Sequence, residues 1–224
     1  GLNREDRGDV RIYPKTDGLK EEVAKLSSIA EVYPDGNDPL FPSYSRSYRY
    51  FTEWEGKPAS VEDLTIQAIP CNNRYFEFYG LQLLKGKLPE GDTERHILLN
   101  EAAVKELKID NPIGKTLSVK DQKGFIIDGI FKDFYIAPPT VPVKPVMLEF
   151  SPGKKNIQND YSTTAIFRHQ PGSRELCKRQ VEQLAKKMQP NAVDIHVAFM
   201  EEEYEKFLKS EKALLKMLDF VTVV

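Results

Sequence analysis

The sequence predicts an α+β fold, with a β-rich middle section set between two flanks that each read strand, helix, strand. Three observations carry this. The opening residues pass from an alternating segment, "DVRIYP", through a helical one, "DGLKEEVAKLSSI", to a second strand in "AEVYPDGNDP". The closing third repeats that order in "STTAIFRH", "SRELCKRQVEQLAKKM" and "VDIHVAFM". Between them lie short alternating or apolar runs, and the four prolines of "APPTVPVKPVMLEF" favour extended geometry over helix.

Taken in order, Val10 and Ile12 share one side of the first strand. Leu19, Val23 and Leu26 then fall at helical spacing, with Asp17 as the expected cap. From Phe41 to Trp54, "FPSYSRSYRYFTEW" alternates aromatic with polar residues, which favours a β-hairpin region. Its aromatic and arginine content would also suit stacking on nucleic-acid bases, but the balanced charge elsewhere argues against that. "LTIQAIP", Leu64 to Pro70, reads as a strand. Tyr75, Phe76, Phe78 and Tyr79 form a short aromatic helix that Gly80 ends, and Gly86 allows a later bend.

The stretch from His96 to Val119, "HILLNEAAVKELKIDNPIGKTLSV", has well-formed punctuation. Ile97–Leu99 make a buried strand, and Asn100 opens a short helix whose apolar contacts come from Ala103, Val104 and Leu107. Asn111-Pro112 is expected to stop that helix, and Gly114 to permit the turn into the next strand. "GFIIDGIFKDFY" is apolar at both alternating sets of positions, the mark of a strand buried on two sides. Val146–Phe150 is a further strand. In the last helical flank Leu176, Val181 and Leu184 are expected inside, with Ser173 at the cap.

From about Met200 a long charged helix carries Tyr204, Phe207, Leu208, Leu214, Leu215 and Leu218 as one stripe. It runs into "KALLKMLDFVTVV", an apolar ramp that reads as the approach to a membrane span, which needs roughly 20 apolar residues. An ordinary core helix is the alternative. No signal-peptide pattern occupies the first residues.

The chain has 224 residues, 40% hydrophobic and 29% charged, a globular composition long enough for a real core. Its 32 Lys plus Arg nearly balance 34 Asp plus Glu, so no general attraction to nucleic acid or acidic lipid follows. Cys71 and Cys177 form no CxxC pair, and with His96, His169 and His196 scattered there is no zinc spacing and no implied cofactor. The two cysteines read as buried thiols, with a disulfide left open.

Three enzyme signatures can be tested. Ile113-Gly114-Lys115-Thr116 resembles the end of a phosphate loop, but the position that needs the first glycine is Ile109. The order there is also helix–turn–strand, the reverse of what phosphate binding requires. Asp128 and Asp133 offer paired carboxylates for hydrolysis or metal binding, although "KDFY" equally suits a satisfied turn. No serine sits in a GxSxG elbow, and neither cysteine neighbours a histidine. Glu201, Glu202 and Glu203 suit the start of a helix, where negative charge complements the macrodipole. No catalytic or metal-ligating residue is expected.

"ILLNEAAVKELKIDNPIGKTL", "FIIDGIFKDFY" and "VPVKPVMLEF", in that order, resemble the extracytoplasmic domain of MacB/FtsX-type ABC-transporter permeases, especially their Bacteroidetes-like branch. The family's "NE-A" segment falls on Asn100, Glu101 and Ala102, and its "P-IGK" turn on Pro112, Ile113, Gly114 and Lys115. Its "G-V-KDF" strand end falls on Gly129, Lys132, Asp133 and Phe134, and an upstream signature covers Phe76 to Lys87. Downstream, "FMEEEYEKFLKSEKALLKML" is similar to the family's helical return to its second membrane span. The chain departs from the pattern at "GIFKDFY", where relatives often carry Val and His. These motifs are structural in the family.

The resemblance implies a MacB-like mixed α/β lobe built from both chain ends, with a β-rich lobe inserted between them. The expected division is 1–62 and 153–199 for the porter-like lobe, 63–152 for the insert, and 200–224 for a stalk helix carrying Tyr204, Phe207, Leu208 and Leu215. It implies a non-catalytic periplasmic domain of an inner-membrane permease, lying between the first and second of four membrane helices. Such a domain would turn ATP-driven membrane-helix motion into export or release of a periplasmic substrate, or into activation of a partner. Implied partners are a cognate ABC ATPase, which alone would bind ATP, a second permease protomer, and a periplasmic substrate or adaptor protein, with no nucleic acid. A periplasmic hydrolase using Asp133 and a histidine, and a stand-alone module that captures a peptide at a strand edge, are the alternatives.

Overall fold

The computed structural model describes residues 5–33, 47–90, 95–119, 123–134, 142–150 and 161–221. The chain forms two compact units, one mainly from Ser43–Tyr135 and Pro139–Lys154, the other from Arg4–Pro42 and Lys155–Val224. The first is therefore inserted into the second along the chain.

The opening elements are β1 (Arg7–Tyr13), α1 (Leu19–Val23) and β2 (Ile29–Tyr33). The inserted unit follows with β3 (Ser47–Phe51), β4 (Glu53–Trp54), β5 (Leu64–Cys71), α2 (Asn73–Phe78) and β6 (Leu83–Gly86). It continues through β7 (His96–Asn100), α3 (Glu101–Leu107), β8 (Thr116–Ser118), β9 (Phe125–Phe131) and β10 (Val146–Phe150). The chain closes with β11 (Thr163–His169), α4 (Arg174–Met188), β12 (Asp194–Phe199) and α5 (Met200–Val221).

In the terminal unit the sheet order is β12-β1-β11-β2, with every neighbouring pair antiparallel. Two strand–helix–strand segments interleaved in this way make the split-βαβ arrangement. Val10, Ile12, Ala165, Phe167 and Phe199 from the strands meet Leu19, Val23, Cys177, Val181 and Ala185 from α1 and α4 in one core. A fully buried side chain of this size contributes about 1.5–3 kcal/mol.

Two local expectations change here. Gly18, at φ 76°, occupies the cap position of α1 and no side chain caps it, so Asp17 does not serve. In α4 the buried residues are Cys177, Val181 and Ala185, while Leu176 is 42% exposed. The buried face is the i, i+4, i+8 row of Cys177, one position on from Leu176, and Leu184 packs at its margin. Ser173 holds the cap position, but its hydroxyl donates to the carbonyls of Gln170 (2.8 Å) and Ser28 (3.3 Å) rather than capping the helix.

In the inserted unit the sheet runs β3-β5-β10-β7-β9-β8-β4, with β6 added beside β9. The strands at the two ends of that order, β3 and β4, are joined by Thr52 alone, whose N–H donates to the Ser118 carbonyl at 3.0 Å. The sheet thus curls until its ends meet. This corrects the expected hairpin: β3 pairs with β5 and β4 with β8, never with each other. The first part of the aromatic stretch, 41–46, lies outside the described residues. Inside the curl, Phe51, Trp54, Ile66, Ala68, Ile97, Leu99, Leu117, Ile127 and Met147 pack on Ala103 and Leu107 of α3.

α2 buries Tyr75, Phe76 and Phe78 and packs beside β5. It ends at Gly80, φ 58°, where Leu81 N–H bonds the Phe76 carbonyl and Gly80 N–H the Glu77 carbonyl, both at 3.0 Å. That pair of bonds is the Schellman motif.

Candidate functional site

Asn100 is the last residue of β7 and the cap of α3, and its side chain is almost wholly enclosed. Its Oδ1 accepts from the backbone N–H groups of Ala103 (3.0 Å) and Val146 (2.8 Å), and its Nδ2 donates to the Lys144 carbonyl (2.9 Å). One amide therefore starts α3 and fixes the entry of β10, using its acceptor oxygen twice and its donor nitrogen once.

Next to it, Glu101 and Asp133 bond reciprocally. Asp133 Oδ1 accepts from Ala102 N–H, and Glu101 Oε2 accepts from Asp133 N–H, each at 3.1 Å. Two of the four unsatisfied N–H groups at the start of α3, those of Ala102 and Ala103, thus find side-chain oxygens. Asp133 lies just past β9, so this contact locks the end of that strand to the helix.

The "P-IGK" turn meets β9 further back. Lys115 N–H donates to the Pro112 carbonyl at 3.1 Å, and Gly114, φ 85°, holds the third position of that turn, where a left-handed residue is needed. Gly114 N–H then bonds the Ile127 carbonyl (2.7 Å), and Ile127 N–H bonds the Lys115 carbonyl (2.9 Å). Lys115 Nζ reaches the Asp110 carbonyl at 2.8 Å. Pro112 is buried. α3 itself stops before this turn: Lys108, φ 50°, supplies the left-handed C-cap, so Asn111-Pro112 is not the terminator.

Gly129 sits opposite Gly86 of β6. A Cβ on Gly129 would come within 2.7 Å of the Lys85 carbonyl, and one on Gly86, φ 82°, would overlap the Asp128 carbonyl. Lys132 is exposed, with its N–H on the Gln82 carbonyl (2.8 Å), and Phe134 is buried and stacked on Phe131 at 5.9 Å.

The motif residues therefore gather around β9 and α3. Asp128 and Asp133 do not pair. Asp128 binds His96 instead, Oδ2 to Nδ1 at 2.7 Å, while Asp133, past the end of β9, accepts from the Ala102 N–H. A register shift places Asp128 at a bulge between the Ile97–Ile127 and Leu98–Gly129 pairs. Nothing in the sequence spacing points to His96 as its partner, since the contact is across strands.

An open groove of about 760 Å³ runs beside α3, bounded by Ser60–Leu64, by Pro142–Val143 and by Asp133. Glu62, Asp63, Glu101, Glu106 and Asp133 outnumber Lys105 and Lys108 along it. Among the described residues no group of His, Cys, Asp and Glu is placed to hold a metal ion. Cys71 and Cys177 are both free and buried. Burial pushes the Cys71 thiol well above its usual pKa, with the Glu149 carboxylate adding to the effect. Burial likewise raises Cys177 to about 11, against a smaller opposing hydrogen bond with Ser28.

At the stalk, α5 follows β12 with no intervening residue, and Phe199 and Met200 on either side of the junction are buried. Tyr204 and Leu208 are half-buried, and the side chains of Phe207 and Leu215 lie outside those described. Arg174, which starts α4, has its guanidinium near Glu201 (3.4 Å), Glu202 (3.6 Å) and Glu175 (3.9 Å). No helix among the described residues is long and apolar enough to cross a membrane.

No protein-family model matches the sequence, and no curated protein matches it at a significant level. Solved structures do. A domain of a protein described as a candidate permease from Porphyromonas gingivalis superposes with a TM-score of 0.51 at 16% identity, over 88% of this chain and 91% of that one. The extracellular domain of the noncanonic ABC-type transporter YknZ from Gram-positive bacteria superposes with a TM-score of 0.51 at 12% identity, over 85% of this chain and 99% of that one. At such identities the likeness is one of fold, and the α+β fold of this chain is the one those permease domains adopt.

Proposed function

We propose that this chain is the extracytoplasmic domain of an ABC-type permease and that it carries membrane-helix motion to a periplasmic event without doing chemistry itself. The observation that supports this most is the fold likeness to two permease domains across 85–88% of the chain, which takes in both units. In this reading the lobe drawn from both chain ends passes displacement to the inserted lobe. Asn100, Glu101, Pro112, Gly114, Lys115, Gly129, Lys132, Asp133 and Phe134 are its scaffold, because each bonds or packs within the frame around β9 and α3. The Asp133 carboxylate, which a hydrolase would need, accepts a hydrogen bond from a helix N-terminus.

ATP hydrolysis belongs to a separate subunit or domain, a second permease protomer completes the transporter, and a substrate or adaptor protein is met on the periplasmic side of the inner membrane. α5 is the stalk: its 22 residues span about 33 Å and leave β12 without a linker that could absorb motion. Leu208→Asp in the full-length protein tests this. ATP hydrolysis should persist while transport or partner activation is lost. Undiminished transport at normal expression would overturn the stalk assignment.

A further inference from the structure

Gly8 of β1 pairs with Phe167 of β11 on one side and with Phe199 of β12 on the other. Directly paired residues share a face of the sheet, so the missing side chain on β1 leaves room between two rings. Phe167 takes that room: a Cβ on Gly8 would come within 2.7 Å of its ring and 3.0 Å of the Ala198 carbonyl. Strands two apart in a sheet lie about 9.5 Å from each other. The ring centroids of Phe167 and Phe199 are nevertheless only 6.1 Å apart, in a T-shaped contact. β11 and β12 therefore touch directly across β1.

His169 extends this bridge. Its ring is 4% exposed and meets the Phe199 ring at 5.6 Å, again T-shaped. The pairing of β11 with β2 shifts register at Arg168–His169, the kind of irregularity that re-aims a side chain. His169 Nδ1 donates to the Gln170 carbonyl at 2.8 Å, since a carbonyl can only accept. The same carbonyl accepts from the Ser173 N–H (3.0 Å) and hydroxyl (2.8 Å), and the Ser173 carbonyl accepts the Cys177 N–H (2.8 Å) to begin α4. Phe199 ends β12 and Met200 opens α5, both buried. An unbroken line of contacts thus runs from the root of α5 to the start of α4, within the terminal unit alone.

We propose that this line is a mechanical relay: displacement at the root of α5 reaches the start of α4 through the Phe199 ring, the His169 ring and the Gln170 carbonyl. Dense, stiff packing and hydrogen-bonded chains carry displacement of this kind. Gly8 is what lets the rings close over β1. The relay stands on the geometry of the terminal unit, and only its use in carrying stalk motion rests on the permease reading.

Hydrogen exchange of the intact chain tests it. Gly8→Ala drives a Cβ into the Phe167 ring, and none of the nearest atoms it would meet belongs to α4 or α5. Exchange should quicken about fivefold at Tyr204–Leu208 and at Ser173 and Cys177, as expected for weakening about one hydrogen bond's worth of contact. His169→Phe keeps a ring against Phe199 and removes the N–H to Gln170. In that background Gly8→Ala should still quicken Tyr204–Leu208 but no longer Ser173 and Cys177. Leu26 N–H, bonded to the Val23 carbonyl at 3.1 Å, is the reference for global unfolding. Should Gly8→Ala fail to fold, Phe199→Leu breaks the same contact without adding a Cβ to β1. No change at Ser173 and Cys177, a change there that survives His169→Phe, or a matching change at Leu26 would each overturn the relay. Those outcomes leave the permease reading to its own test, Leu208→Asp in the full-length protein.

Discussion

Glu101 and Asp133, thirty-two positions apart, each accept one backbone hydrogen bond from the other's segment: Asp133 from Ala102 N–H and Glu101 from Asp133 N–H. The pair resembles a capping box with its two halves on different elements. Asp133→Ala leaves Ala102 N–H without its acceptor and should cost about 1 kcal/mol, the usual value of a helix cap. Asp133→Asn keeps an acceptor oxygen and should cost less. The two alanine variants together should lose less than the sum of the singles, because each bond positions the other. Urea unfolding followed by Trp54, the single tryptophan and a core residue of the same unit, measures this. Strict additivity would show that the bonds do not act together.

Gly114 and Gly86 have nearly the same φ, 85° and 82°, yet they should respond to alanine very differently. Nothing lies within 4 Å of where a Cβ on Gly114 would go, so Gly114→Ala meets backbone strain alone, about 1–2 kcal/mol. At Gly86 the same Cβ runs into the backbone of Asp128 and Gly129, which cannot give way as a flexible side chain would. Gly86→Ala should therefore part β6 from β9. Faster hydrogen exchange at Lys87 and Lys132, whose N–H groups bond across that pair of segments, is the expected signature. Equal losses of stability for the two variants would mean that close approach is not what Gly86 provides.

Much of the fold is visible in short stretches of sequence, and what is hidden is non-local. Asn100 as a cap, Gly80 as a helix stop and Val146–Phe150 as a strand follow from residue type and period, because the forces involved act within one turn or one pleat. The hairpin expected around "SRSYRYFTEW" fails because alternation reports a strand but not its partner, and the curl through Thr52 is set by β5 and β8. The Leu176 error is one of phase: a charged helix tolerates an exposed leucine, and Cys177 carries too weak a hydrophobic signal to shift the face. At the site, Asn100, Glu101 and Asp133 can each be picked out by motif, but the bond between the last two crosses from helix to strand end. The pairing of Asp128 with His96 is equally beyond spacing rules.

Burial raises the Cys177 thiol from 9.0 to about 11, so the folded state favours the protonated form. The resulting stability is complete below pH 9, the unfolded value, and is lost as the pH rises through 11, because the unfolded chain ionises first. Cys177→Ala should remove this part of the alkaline fall while adding a small constant cavity cost. Below pH 9 neither Cys177 nor Cys71 should react with a thiol reagent at a rate faster than unfolding allows. Rapid modification of the native chain would contradict the buried assignment.

Arg174 opens α4, where a cation opposes the helix macrodipole, so its position needs an external reason. The structure supplies one in Glu201 and Glu202 of α5, at 3.4 and 3.6 Å. Those acids in turn suit the positive end of α5, so the contact satisfies both helix starts at once. With Arg174 about a third exposed, each ion pair is worth only about 0–1 kcal/mol, and Arg174→Glu should barely move the global midpoint. Its effect should be local. Like charges would face one another across the α4–α5 contact, and amide exchange from Tyr204 to Leu208, the first hydrogen-bonded turns of α5, should quicken severalfold. High salt should produce a weaker version of the same change in the unmodified chain, through screening over about 3 Å at 1 M. If exchange in α5 ignores both the substitution and salt, the buried Phe199–Met200 junction alone anchors that helix.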